Sequence, residues 1–175
     1  MGIESHGEDT TMAEIKMALH EITLAKALKV KNRLAGRLAK VQADIQTYNS
    51  VPEGQSDQVN VPALMKTREE LVGALVSLKT AINDANREVQ RDIYLLAEKK
   101  AAAQFLAGLN TRHGPQPAVY PSTTEVHYVA ALKKADVDAL VARLEKEIDQ
   151  LQDRLDHFNH ARKVEVEGRT LELAS

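Results

Sequence analysis

The chain lacks cysteine entirely, and this absence removes several kinds of chemistry. With no cysteine among its 175 residues, it has no disulfide, no thiolate nucleophile and no cysteine-ligated metal. Nothing in the sequence points to an oxidising compartment, and the N-terminus carries no signal-peptide pattern. We therefore expect a cytoplasmic protein.

Aromatic residues and long apolar runs are also scarce. The chain has two Phe, four Tyr and no Trp, so its core depends on Leu, Ile, Val and Ala. Such a core favours a helix bundle over a β-sandwich. No apolar run approaches the roughly 18 residues that a membrane-spanning helix needs. The net charge is only -2, so we expect neither nucleic acid nor a membrane as a partner.

The longest periodic segment runs from Asn60 to Asn110 and predicts one continuous helix. Asn60 and Pro62 are typical of a helix start, because Asn caps free amides and proline is tolerated in the first turn. Apolar residues follow at alternating spacings of four and three, which predicts a seam for partner helices. They are Leu71, Leu75, Leu78, Ile82, Ala85 and Val89, continued by Ile93 and Leu96.

A second long helix is predicted from Thr11 to Tyr48, after a flexible lead-in over residues 1–10. Its second half has heptad spacing. The apolar residues there are Leu34, Leu38, Val41, Ile45 and Tyr48. A helix of about 37 residues is roughly 55 Å long. A compact globule of this chain length is only about 40 Å across. We therefore expect a homo-oligomer that covers the exposed seams.

In the C-terminal part, the spacing of apolar residues changes between the twofold period of a strand and the period of a helix. Glu125 to Ala130 predicts a strand, and Asp136 to Asn159 predicts a third helix. Its inner face is formed by Leu140, Leu144, Ile148, Leu151, Leu155 and Phe158. The tail then predicts a hairpin that turns at Gly168 and Arg169 and pairs with the strand.

These elements define the predicted fold class. We expect a single domain over 1–175 that is mainly α. It has a long antiparallel helical hairpin plus a third helix, and a small antiparallel β-sheet near the C-terminus.

Two predicted helices carry opposite charge along one face. The basic stripe lies on the first helix and consists of Lys26, Lys29, Arg33, Arg37 and Lys40. The acidic line lies on the third helix and consists of Glu145, Asp149, Asp153 and Asp156. A basic helix face suits a phosphate backbone. We favour the alternative that the two faces dock on each other within the chain, although exposed pairs contribute only ~0.2–1 kcal/mol each.

Catalytic and metal-binding patterns are weak. His157 and His160 lie near Asp153 and Asp156 at spacings that could meet a metal. We favour a simpler interpretation, in which histidine near a helix C-terminus interacts with the helix dipole. No Walker, Rossmann or nucleophile-elbow motif is present. We therefore predict no enzyme activity, no catalytic residue, no metal and no cofactor.

The segment 105–134 is the best candidate for binding. It holds three of the six aromatic residues and five basic side chains against one acid, Glu125. Rings beside cationic groups suit a small anionic, nucleotide-like ligand. The predicted ligand-binding residues are Arg112, His113, Tyr120, His127 and Tyr128, together with Asn83 and Asn86 on the long helix. The alternatives are that the rings only pin the segment to the helices and that the two Asn set helix register.

The chain resembles a family of small, mainly helical bacterial proteins, the septicolysin-like family, from about Leu24 to Val166. The similarity rests on three places: Leu24–Leu28, Ile82–Asn86, and Glu125–Val129 followed by Asp136 and the helix to Asn159. Two departures are His160, where the family tends to have Trp, and Ala85, where it tends to have Thr. The family name implies a cytolysin but brings no residue-level mechanism.

The sequence therefore predicts a non-enzymatic, homo-oligomeric helical protein that binds a small anionic ligand. A coiled-coil-like scaffold or protein-interaction module is the alternative. Membrane action of the cytolysin type is less favoured, since no segment resembles a membrane-inserting one.

Overall fold

The computed structural model describes residues 18–54, 59–117 and 125–175. The predicted lead-in, the first turns of the predicted first helix and Tyr120 lie outside these ranges. The elements in chain order are β1 (Leu19–Thr23), α1 (Leu24–Tyr48), α2 (Val61–Asn86), a 3₁₀ turn (Arg87–Val89), α3 (Gln90–Ala107), β2 (Gly114–Gln116), β3 (Val126–Tyr128), α4 (Lys134–Ala161), β4 (Lys163–Glu167) and α5 (Gly168–Glu172). The mainly α class with small antiparallel sheets is confirmed.

The sequence predicts one domain, and the structure divides the chain into two compact units. The first unit contains the described residues up to Glu88 together with Phe158–Ser175, and the second contains Val89–His157.

The first unit begins with a strand where a helix was predicted. β1 pairs antiparallel with β4, in a register that places Leu19 opposite Glu167 and Thr23 opposite Lys163. The helix starts only at Leu24, because the Thr23 hydroxyl accepts the amide of Lys26 at 3.2 Å and caps it. The predicted helix is therefore wrong over Leu19–Thr23, since the residues that pair with this strand lie far away in the sequence.

The hydrophobic core of the first unit lies between α1, α2, the β1–β4 sheet and α5. The predicted seam on α2 is confirmed, because Leu71, Leu75, Leu78, Ile82 and Ala85 are all buried. Their partners on the other elements are Ile22, Leu24, Ala27, Val30, Leu34, Val164, Val166, Leu173 and Ala174. These apolar side chains hold the unit together by removing their surface from water.

The predicted continuous helix from Asn60 to Asn110 is interrupted. Asn60 caps α2 as expected, accepting the amide of Ala63 at 3.0 Å. The helix then passes into the 3₁₀ turn Arg87–Val89, and the boundary between the two units falls within this turn. Two asparagines and an aspartate just before it are poor helix formers. The prediction of one unbroken helix is therefore wrong, and Val89, Ile93 and Leu96 are only partly buried.

The tail of the chain also differs from the prediction. In place of a second hairpin strand, Gly168–Glu172 forms the short helix α5. The Gly168 amide donates to the Ala18 carbonyl at 2.9 Å, and the Arg37 guanidinium donates to the Leu173 carbonyl at 2.8 Å. Covering the core with Leu173 and Ala174 favours this helix over a period-two strand.

The second unit is built from α3, the β2–β3 hairpin and most of α4. No residue of α3 is buried, and the buried apolar residues of α4 are Val137, Leu151 and Leu155. Ion pairs join the two helices, Lys99 with Glu147 and Arg154 with Asp92, the latter at 3.5 Å. The predicted inner face of the third helix is therefore correct in direction but only partly covered.

Candidate ligand-binding site

The candidate site lies on the β2–β3 hairpin of the second unit. The loop from α3 to β2 is organised by Asn110, whose side-chain oxygen accepts the Arg112 amide at 3.2 Å. Gly114 then takes a φ of +80°, a conformation that glycine adopts without strain. The antiparallel register places Gly114 opposite Tyr128 and Pro115 opposite His127. The predicted pairing of this strand with the C-terminal tail is therefore wrong, since β3 pairs with β2.

Arg112 and Tyr128 form the centre of the site. The guanidinium carbon lies 5.9 Å from the centroid of the Tyr128 ring, within the range of a cation–π contact. Arg112 is exposed, and it makes no ion pair within the part of the chain that the structure describes. Its donors are therefore oriented by the ring and not used by a carboxylate.

Each predicted histidine is a sequence neighbour of this pair, His113 of Arg112 and His127 of Tyr128. The Ala130 amide donates to Nδ1 of His113 at 3.2 Å, so this nitrogen acts as the acceptor and Nε2 is left as the donor. Nε2 of His127 lies 3.9 Å from Oε2 of Glu125. The structure therefore brings four predicted site residues onto one hairpin: Arg112, His113, His127 and Tyr128.

The charge of the surrounding segment favours an anion. Glu125 is the one acid in the segment 105–134, and it faces His127. Lys134 pairs with Asp138, and the amide of Lys133 donates to Asp136 at 3.1 Å. Asp136 thus lies inside the first turn of α4, which begins two residues before the predicted start of this helix. Arg112 is the cation that lies beside the Tyr128 ring without an ion pair among the described residues.

The remaining predicted residues lie elsewhere. Asn83 is exposed and Asn86 is partly buried, and both belong to α2 in the first unit. Tyr120 lies outside the described residues. Within the described ranges, no group of three or more His, Cys, Asp or Glu is placed to hold a metal ion.

The pairing predicted between the basic stripe and the acidic line stays a prediction, and two contacts of these helices involve other partners. Glu147 next to the acidic line pairs with Lys99 of α3, and this hydrogen bond lowers the pKa of the Glu147 carboxyl. In the basic stripe, Arg37 donates to the Leu173 carbonyl. The stripe belongs to the first unit and the acidic line to the second.

Exposed apolar side chains around the hairpin were missed by the sequence analysis. Phe105 is 68% exposed, Val129 is 88% exposed and Val126 is 50% exposed. Phe105 and Val126 had been assigned only by type, as an aromatic and a strand residue. Periodicity could not predict their exposure, because exposure depends on which other elements cover a residue.

Comparisons of the chain with protein-family models, with curated proteins and with solved structures found no match. No helix in the described part of the chain has the length and apolar content needed to cross a membrane. The functional argument therefore rests on the residues of the hairpin.

Proposed function

We propose that this protein is a non-enzymatic, homo-oligomeric binding protein that holds a small anionic ligand on the β2–β3 hairpin. The observation that carries the proposal is the Arg112 guanidinium lying over the Tyr128 ring without a carboxylate partner among the described residues. A guanidinium offers paired donors that match a phosphate or carboxylate. A ring beside it suits the planar part of a nucleotide-like ligand.

The two histidines lie on the same hairpin as the proposed anion site. With Nδ1 of His113 accepting the Ala130 amide, Nε2 can donate to a ligand oxygen. His127 lies next to Glu125. None of these groups is arranged as a nucleophile with an adjacent base, which supports binding in place of catalysis.

The test measures binding of inorganic phosphate, AMP and adenosine by NMR titration of the purified protein. Phosphate and AMP are expected to shift the amides of Arg112 and Tyr128, and adenosine is expected to bind more weakly than AMP. Arg112→Ala should weaken AMP binding about tenfold or more, the scale of a lost charge-assisted contact. Arg91→Ala is the matched control, since Arg91 is exposed on α3 outside the hairpin. Equal loss in both variants would contradict the site.

A second candidate function is a protein-interaction module. It is favoured by the exposed apolar side chains Phe105, Val126, Val129 and Leu132 in the same segment. Native mass spectrometry on freshly purified protein separates the two functions, because a retained small molecule adds a discrete mass and a protein partner adds a much larger one.

The septicolysin-like resemblance supports a third function, membrane action, which we rank last. Leakage of dye from liposomes tests it directly. Membership of that family remains a proposal, and so does a cytoplasmic location.

A further inference from the structure

The basic stripe is an exposed surface of α1 that forms no ion pair among the described residues. Its five residues, Lys26, Lys29, Arg33, Arg37 and Lys40, are all exposed, while Leu24, Ala27, Val30 and Leu34 face the core. Arg37 donates to the Leu173 carbonyl at the edge of the stripe. Among the described residues, the other four make no ion pair.

The acidic line is an equally exposed surface of α4. Glu145, Asp149 and Asp153 are exposed and form no ion pair with any described residue. Asp156 accepts a hydrogen bond from Gln152 at 3.2 Å. The ion pairs of α4 to α3 instead use Glu147 and Arg154, so the line is not needed to hold the helix pair together.

The two surfaces carry opposite charge and have the same spacing of charged residues. The last four residues of the basic stripe, Lys29 to Lys40, have the spacing 4-4-3, and the acidic line from Glu145 to Asp156 has the same spacing. Read in reverse, the first four basic residues also match it, so the two helices can align in either direction. At 1.5 Å per residue, each set of four spans roughly 16 Å.

A glycine within the stripe leaves room for another helix to approach closely. Gly36 is exposed in the middle of α1, three residues after Arg33 and four before Lys40. A Cβ built on Gly36 meets no atom within 4 Å, so no contact with a described residue requires a glycine there. Glycine in a helix interior costs roughly 0.5–1 kcal/mol relative to alanine. An approaching backbone gives this position a physical reason.

We propose that the basic stripe of one copy binds the acidic line of a second copy. The proposal rests on the homo-oligomer in the proposed function and names its interface. Because the two surfaces differ, the contact is head-to-tail, and each bound copy still offers one free surface. Such a contact builds a ring when its rotation closes and a filament when it does not.

Two charge-reversal variants test this interface. The first carries Lys29→Glu and Arg33→Glu, and the second carries Asp149→Lys and Asp153→Lys. Each variant alone places like charges against each other, so each should sediment as a 19.3 kDa monomer. Mixed one to one, the altered stripe of the first faces the altered line of the second, and the unaltered surfaces also match. The mixture should therefore regain the wild-type assembly, measured by sedimentation velocity at low salt.

Matched controls separate this interface from a general effect of charge. Lys66→Glu with Lys79→Glu changes the net charge equally on exposed positions of α2, and it should leave the assembly intact. Gly36→Leu should block assembly, because Gly36 lies within the stripe. Gly73→Leu is the matched control and should leave assembly intact, since Gly73 is also exposed in a helix interior with open space around it but lies outside the stripe. Circular dichroism confirms that every variant is folded.

The outcomes distinguish the interface from the proposed oligomer. A wild-type monomer would overturn both. Assembly retained by both reversal variants would overturn the interface and leave the oligomer standing. A folded mixture that stays monomeric would also overturn the interface. Loss of RNA or DNA binding by the first variant alone, with wild-type assembly in both, would assign the stripe to nucleic acid.

Discussion

The two compact units have similar helices but bury them to very different extents. In the first unit, Leu24, Leu34 and Leu71 are fully buried, and a sheet and a short helix cover the α1–α2 pair. In the second unit, α3 buries no residue, and its contact with α4 is reinforced by ion pairs. Helical periodicity therefore does not by itself indicate how much of a face is covered.

The difference assigns separate tasks to the two units. Burial of apolar area is the main source of folding free energy, so the first unit should carry most of the stability. A region with few buried contacts opens locally at low cost, and binding surfaces are drawn from such regions. The second unit carries the candidate ligand site and the acidic line, which is consistent with this division.

Truncating one leucine in each unit should show the largest contrast. Leu71→Ala in the first unit removes a fully buried side chain, and we expect a loss of about 2–5 kcal/mol in the free energy of unfolding. Leu96→Ala in the second unit removes a partly exposed one and should cost only about 1 kcal/mol. Urea denaturation measures both. Similar losses in the two variants would contradict the division of stability.

Replacing glycine by alanine should change the free energy of unfolding in opposite directions at two positions. Gly114→Ala forces alanine into a φ of +80° on the hairpin, which should cost about 1–2 kcal/mol. Gly73→Ala in the exposed interior of α2 should instead stabilise by about 0.5–1 kcal/mol, because it meets no neighbour. Thermal unfolding followed at each unit shows where the change acts. Stabilisation by Gly114→Ala would rule out the assigned hairpin geometry.

The ion pairs of the two units can be compared directly. Arg169 joins Glu70 and Glu172 in the first unit, and these hydrogen bonds raise the pKa of its guanidinium. Arg169→Met keeps the aliphatic stem and should cost about 2 kcal/mol at most, since it removes two exposed pairs that contribute ~0.2–1 kcal/mol each. Lys99→Met in the second unit should cost no more, and it should mainly speed amide exchange in α3. A larger loss there would show that ion pairs stabilise the second unit more than assumed.

The smallest expected effect is a pH dependence of the second unit. The hydrogen bond from Lys99 lowers the pKa of Glu147, so this carboxylate stabilises the folded state at pH values above its ordinary pKa. That contribution is lost as the pH falls through the lowered pKa of the folded state. Amide exchange in α3 and α4 should increase there in the wild type and change less in Glu147→Gln. An equal change in both would exclude Glu147 as the cause.

Two structural features that depend on residues close together in the sequence were predicted correctly. The cap at Asn60 and the seam from Leu71 to Ala85 were correct, because a side-chain cap and a heptad repeat depend on neighbours a few residues away. The interruption at Arg87–Val89 was missed, since the seam spacing continues through it.

Non-local pairing accounts for the remaining errors. Leu19–Thr23 and Lys163–Glu167 determine each other as strands, and no short window contains both. The partner of Val126–Tyr128 was chosen wrongly because Gly114–Gln116 is a three-residue strand that begins with glycine and proline. At the site, residue type predicted Arg112 and Tyr128, but their contact depends on the register of that short hairpin.

The pairing of β1 with β4 sets an order for folding during synthesis. Thr23 cannot pair until Lys163 has been synthesised. The Leu24 amide likewise cannot donate its 2.8 Å hydrogen bond until the Arg162 carbonyl has been made. At about 5–20 residues per second, a separation of about 140 residues corresponds to roughly 7–28 s of translation. The whole second unit is made within that interval. The newly made α1 and α2 must therefore remain in solution without the cover of β4 and α5, which are still being synthesised.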